Sequence, residues 1–326
     1  MRPATVSPGE HLIIPYAHAS TPECDAALAD LPLPHLEALL QRWQPAGQDH
    51  ADEYTLSPPH ERALGQALGW TDPGDGRWPW AAWHAGLADQ PCAWFTPCHW
   101  SVGMEQVTLL PPDDLDLRAD ESQALLDALA PWALEDGIAL HLETPQRWRA
   151  TGEALRDLPC ASLDRVAHRR VDAWLPSAQQ AASAKTLLRL QNEAQMLFYT
   201  HPVHDARQAR GVPPINGFWI SGAGVWAGPS ATPTVTVNDI LRRPALSGDW
   251  AAWRQAWLAL DREVMGPWLN GAAPDATRRL VLCGERGWAA WQPSTNTDTP
   301  RRPWWQRLWR PATSAHAGTA HTLGQL

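Results

Sequence analysis

Most side chains in this chain with the types and spacing to do chemistry fall in one stretch. The run Tyr199-Thr200-His201-Pro202-Val203-His204-Asp205-Ala206-Arg207 brings two imidazoles, a carboxylate and a guanidinium together. His201, His204, Asp205 and Arg207 could hold an anion or a metal ion; the same groups could equally fasten a turn. After Gly211-Val212-Pro213-Pro214, the run Ile215-Asn216-Gly217-Phe218-Trp219-Ile220 has the apolar pattern of a strand. Gly222 and Gly224 beyond it free the backbone for close approach to a ligand or a helix. Asn216 can donate and accept hydrogen bonds, and Trp219 offers a stacking face. His99, beside Trp94 and Trp100, can line a pocket or serve as a hydrogen-bonded structural histidine.

Other chemistries find less support. A serine hydrolase of the nucleophile-elbow type needs Gly-x-Ser-x-Gly, which is missing. Cys98 and His99 are chain neighbours, and on a strand neighbours face opposite ways, so they form no dyad. Lys185 is the sole lysine, which leaves one candidate for amine nucleophile chemistry, on a helix where a surface cation is expected. The five cysteines lack Cys-x-x-Cys spacing, so neither a zinc ribbon nor a disulfide framework is expected, and a reducing cytoplasm is the natural compartment. A formal charge of −9 argues against general nucleic-acid affinity, which needs clustered cations. No run reaches the roughly 18 apolar residues of a membrane span, and no secretory leader pattern is present. Tryptophan is the outlier, at 21 residues against three Tyr and three Phe, and its even spread points to core and element-end packing rather than a sugar-binding surface.

The elements that must position these residues alternate between periods of 3.6 and two. Leu12-Ile13-Ile14 reads as a short buried strand stopped by Pro15. Helices are expected over 34–43 and 58–68, each opening with proline, and over 80–87, ended near Gly86. Strands are expected over 92–95 and 106–110, flanking Pro97-Cys98-His99-Trp100. An amphipathic helix over 120–135 presents Leu125, Leu126, Leu129 and Trp132, and a strand follows at 138–142. Residues 177–182 read as a linker, 184–198 as a helix, 234–237 as a strand, 250–269 as a helix and 279–283 as a buried strand. From Pro293 the chain becomes polar, then runs Arg301-Arg302-Pro303-Trp304-Trp305-Gln306-Arg307-Leu308-Trp309-Arg310, a tail suited to docking or to a protein partner.

The motif Asn216-x-Phe218-Trp219-x-x-Gly222-x-Gly224, preceded by His201-Pro202-Val203-x-x-x-Arg207, resembles a segment of the archaeal-type cofactor-independent phosphoglycerate mutases of the alkaline-phosphatase superfamily. From about Leu12 to Trp291 the chain resembles more closely a proteobacterial regulatory-protein family of the RpfE type. That likeness rests on Trp83-His84-x-Gly86-Leu87, Trp94-Phe95-Thr96-Pro97-x-His99-Trp100 and Asn192-Glu193-x-Gln195-Met196-Leu197. The resemblance implies an α/β fold: an alkaline-phosphatase-like sheet with helices on both faces, built from 1–75 and 176–292, and a smaller inserted α+β domain over 76–175. Residues 293–326 form a linker and Arg/Trp-rich tail.

The mutases hold two divalent metals on Asp and His side chains and transfer a phosphoryl group through a serine or similar nucleophile. Here the first strand runs into Pro15-Tyr16-Ala17 without a carboxylate. The later strand ends in Gly284-Glu285-Arg286 in place of Asp-His, no Asp-x-x-Gly-His segment appears, and Ser221 lacks a nucleophile's context. The implied function is therefore a catalytically inactive mutase-like protein, with no metal or other cofactor, acting as a binding or regulatory module. Its ligand would be a small phosphorylated molecule, held through Arg207, Asn216 and Trp219, with His99, His201, His204 and Asp205 nearby. The alternative is an active metal-dependent mutase or phosphatase drawing ligands from His201, His204, Asp205 and Glu285.

Overall fold

A computed structural model describes residues 9–104, 106–175, 183–229, 233–270, 278–294 and 313–326. The Arg/Trp-rich run at 301–310 and the whole 177–182 linker lie outside the described residues. The fold is α/β, and the chain divides into two compact units.

The first unit joins 1–53, 59–71 and 230–326. Its strands are β1 (Glu10–Ile14), β2 (Trp43–His50), β8 (Thr234–Val237), β9 (Arg279–Cys283) and β10 (Gly287–Pro293), in the order β2-β10-β9-β1-β8. β8, β1 and β9 run parallel, with Ile13 opposite Val237 and Val281, while β10 and β2 are antiparallel. Its helices are α1 (Pro22–Leu28), α2 (Pro34–Arg42), α3 (Pro59–Ala67), α9 (Arg242–Ser247), α10 (Trp250–Leu260), α11 (Gly266–Asn270) and α12 (Thr313–Leu323). Strand alternation sorts the core. Leu12, Ile14, Leu280 and Leu282 pack with Leu36 and Leu39 of α2 and Trp253 and Trp257 of α10. Ile13, Val281 and Cys283 point the other way, onto Ala63 of α3 and Trp288. Helices therefore cover both faces, as expected.

Two departures have local causes. β2 does not read as a strand because it carries Pro45 and Gly47; it is an edge strand with an irregular register opposite Ala290 and Trp291, where both are tolerated. The helix expected over 250–269 is interrupted by a π-helical turn, Asp261–Met265. Pro267 has no N–H for the carbonyl four residues back, and the wider turn absorbs that loss.

The second unit joins 54–58 and 72–229. It contains α4 (Trp80–Ala85), β3 (Pro91–Val102), β4 (Val107–Leu110), α5 (Ala119–Glu135), β5 (Ala139–Thr144), β6 (Arg147–Thr151), α6 (Leu163–Val166), α7 (Ala184–Tyr199), α8 (Pro202–Ala209) and β7 (Gly217–Val225). The antiparallel order is β4-β3-β6-β5, with β7 also paired to β3. One face packs Ala93, Phe95 and Trp148 against Leu125, Leu129, Leu187, Leu190 and Phe198 of α5 and α7. The other carries Cys92 under Ala81 and Ala82 of α4. Each such fully buried large side chain stabilises the fold by about 1.5–3 kcal/mol.

β3 and β4 match the two strands expected here, but β3 runs on past Phe95 through Pro97 to Val102. Pro97 is tolerated because β6 pairs only as far as Phe95 and β4 begins at His99, so on that side no strand asks for its missing N–H. Trp132, expected on the apolar face of α5, is exposed, and Ala133 takes the buried position. The unit boundary also differs from the expected one. β7 pairs with β3 along most of its length, so 183–229 packs with the middle segment rather than with the chain ends.

Candidate functional site

His201, Arg207, Asn216 and Trp219 of the 199–224 stretch are each held by a specific partner in the second unit. Pro202 starts α8 at the position where a missing N–H is harmless, and His201 caps it, its Nδ1 accepting from Val203 N at 3.2 Å. Asp205 is exposed in the first turn, where a carboxylate suits the helix dipole. His204 is buried against the Tyr199 ring at 5.1 Å and contacts Gln208 through Nε2 at 3.0 Å; its Nδ1 has no partner among the described residues.

Arg207 is completely buried, at 0 % exposure. Its Nε donates to Pro213 O at 2.9 Å, and Nη1 donates to Glu121 Oε2 at 2.6 Å and to Asp116 O at 3.3 Å. Nη2 donates to Leu115 O. Glu121 is shared with Arg210, whose Nη1 donates to Oε1 at 2.6 Å. This guanidinium is saturated by carbonyls and a carboxylate, and it clamps the loops on either side of it.

Asn216 acts as a side-chain peptide. Its Oδ1 accepts from Trp100 N at 2.7 Å and its Nδ2 donates to Trp100 O at 3.0 Å, extending the β3–β7 ladder by one step. Trp219 is buried with Nε1 donating to Ala161 O at 2.9 Å, and its ring lies 6.2 Å from that of Trp100. His99 faces Pro214 O through Nδ1 at 2.9 Å, which assigns the proton to Nδ1. Burial lowers its pKa, as do the Arg207 and His204 fields, against the opposing pull of the Pro214 carbonyl. The glycines admit protein rather than ligand. A Cβ on Gly222, at φ +62, would sit 3.0 Å from the Trp94 ring, and one on Gly217 would sit 2.9 Å from Trp100 Nε1.

Beside this frame lies an open cleft of about 510 Å³. Trp100, Val102 and Asn216 form one side, Gln195, Met196 and Tyr199 of α7 another, and Val171, Asp172 and Leu175 a third. Met196 and Tyr199 are 76 % and 70 % exposed, and Val102 is exposed as well. Of the expected residues only Asn216 lines this cleft; Trp219, His204 and His99 stand behind its walls through Trp100 and Tyr199. Gln195, Met196 and Tyr199 were missed as site residues, although the signal was readable. The buried stripe of α7 is Leu187, Leu190, Ala194 and Phe198, and Met196 and Tyr199 are apolar residues off that stripe.

In the first unit, β1 and β9 end side by side, where α/β sheets commonly bind ligands. Ala17 N donates to Cys283 O at 2.8 Å, and Tyr16 holds a left-handed φ of 58° with its ring 5.6 Å from His60. Glu285, at the end of β9, accepts from Ser20 N at 3.0 Å, and Arg286 donates to Glu53 at 2.9 Å. Burial pushes the Cys24 thiol up to about 11 and that of Cys283 far above its ordinary range. Among the described residues no three His, Cys, Asp or Glu side chains converge as a metal-binding group.

No protein-family model matches the chain, and no curated protein does. Solved structures similar to it include the cofactor-independent phosphoglycerate mutase from Thermoplasma acidophilum, at 14 % identity and a TM-score of 0.37, over 98 % of this chain and 100 % of that one. Another is the PH0037 protein from Pyrococcus horikoshii, at 10 % identity and a TM-score of 0.45, over 89 % and 88 %. Likeness of this degree assigns no residue here a role.

Proposed function

We propose that this protein is a mutase-like binding module without two-metal phosphoryl-transfer chemistry, and that its ligand enters the cleft of the second unit. One observation carries the reading: three of the groups a metal or phosphate site would need, His201, Arg207 and Glu285, are already committed to the fold. His201 caps a helix, Arg207 is saturated by four acceptors, and Glu285 fastens a loop. The sequence resemblance to the mutases and to the RpfE-type regulatory family supports the ancestry, and the missing strand-end carboxylates support the loss of activity.

The cleft suggests a different ligand from a phosphorylated one. Its size is that of a small-molecule site, and its walls are apolar and aromatic with Asn216, Gln195 and Asp172 as the polar points. No basic side chain is among its described lining residues. An uncharged or cationic apolar group suits it better than an anion. The test uses the neutral fluorescent probe N-phenyl-1-naphthylamine. Saturable binding weakened by about tenfold in Met196→Asp is expected, about 1.4 kcal/mol. Equal binding by the variant would remove the cleft from the account.

A further inference from the structure

A second group of side chains in the same unit differs from Arg207 in the one respect that matters for a ligand. On the face of the sheet that carries α4, Trp94 of β3 stands directly opposite Arg149 of β6. The Arg147 guanidinium lies over the Trp94 ring at 4.8 Å, and its Nη2 is 3.3 Å from His84 Nε2. Glu143 of β5 reaches both arginines, at 3.2 Å from Arg147 Nε and 3.4 Å from Arg149 Nε. Two guanidiniums thus share one carboxylate, which leaves a surplus positive charge.

These side chains are largely withdrawn from water, at 30 % exposure for Arg147, 23 % for Arg149 and 18 % for Glu143. The Nε atoms of both arginines face the two oxygens of Glu143, and Trp94 Nε1 is buried without a hydrogen bond among the described residues. The Arg147 Nη2 contact to His84 is the one Nη hydrogen bond of this pair among the described residues, so the outer edges of both guanidiniums stay open to an acceptor. Stacking on Trp94 uses the face of the Arg147 guanidinium and leaves its edge to meet in-plane acceptors. Arg207, in the same unit, has each of its nitrogens bonded to the fold. A structural arginine is saturated; Arg147 and Arg149 are not.

We propose that this face binds a small oxyanion, a carboxylate or a phosphate, between Arg147 and Arg149 and beside Trp94. The site is distinct from the cleft of Met196 and Tyr199, and it supplies the anion-binding cations that Arg207 does not.

Titration calorimetry of the full chain with inorganic phosphate, and separately with acetate, at constant ionic strength tests this. Saturable binding of one anion per chain is expected, weakened about tenfold or more in Arg149→Gln and in Arg147→Gln. The exposed Arg262→Gln control should leave it unchanged. The anion that binds more tightly identifies the ligand class. Arg149→Lys, which keeps the charge but not the bidentate fork, covers the case in which the glutamine variant does not fold, and should weaken binding by a smaller factor. Absence of saturable binding to either anion, or equal affinity in Arg149→Gln or Arg149→Lys and the parent, overturns the proposal.

Discussion

At the scale of single residues, burial and hydrogen-bond saturation separate groups that hold the fold from groups open to a ligand. Arg207 belongs to the first kind. Arg207→Met leaves the Leu115 and Pro213 carbonyls and half of Glu121 unpaired, and should cost about 3–5 kcal/mol in urea unfolding. Arg149→Met, at a half-satisfied ion pair, should change stability by less than about 1 kcal/mol by the same measurement. Equal losses would erase the distinction drawn between them. Asn216→Ala removes both bonds to Trp100 and should cost about 1–3 kcal/mol. The thiols give a further check. All five cysteines are buried, and with Cys24 raised to about 11 its thiolate fraction at pH 8 is about one in a thousand. Ellman's reagent should find no fast-reacting thiol before unfolding, and one fast equivalent at native pH 8 would contradict the packing described.

Elements were legible wherever one physical rule dominated. The helices opening at Pro34 and Pro59 follow from proline's tolerance in a first turn, α4 ends at Gly86 in the left-handed conformation, and α8, which opens at Pro202 by the same rule, was not expected. β2, β6 and β10 escaped notice for different reasons. β2 is an edge strand with proline and glycine, β6 alternates over only five residues, and β10 interrupts its strand-favouring tryptophans with alanine, glycine and proline. The alternation in β6 also places Arg147 and Arg149 on one face. The candidate site followed the same division. The sequence marked the residues of 199–224 as unusual, but only tertiary partners distinguish a cap, a clamp and a peptide mimic from ligands. His99 on β3 makes an element-level prediction. Its folded pKa lies below the ordinary 6.5, so between those values the unfolded chain binds more protons. The stability its neutral form contributes is complete above about pH 6.5 and declines as pH falls toward the folded pKa. The urea midpoint should therefore drop less between pH 7.5 and 5.5 in His99→Gln than in the parent, and an unchanged slope would exclude His99 as a contributor.

For the whole molecule, the mixed α/β class was readable from alternating periods, the helices on both faces came only from the sequence resemblance, and the unit boundary was not readable. Pairing between β3 and β7 joins segments more than a hundred residues apart, and nothing local in either strand names its partner. The central proposal also belongs to this scale: a chain that resembles the two-metal mutases uses His201, Arg207 and Glu285 to hold its fold and serves binding rather than catalysis. The most direct measurement is metal content together with phosphoglycerate mutase turnover, after incubation with Mn²⁺, Mg²⁺ or Zn²⁺ and dialysis. The account predicts no interconversion of 3- and 2-phosphoglycerate above the blank, and metal far below stoichiometric. Stoichiometric retention of two ions with turnover, both lost in His201→Ala, would contradict it.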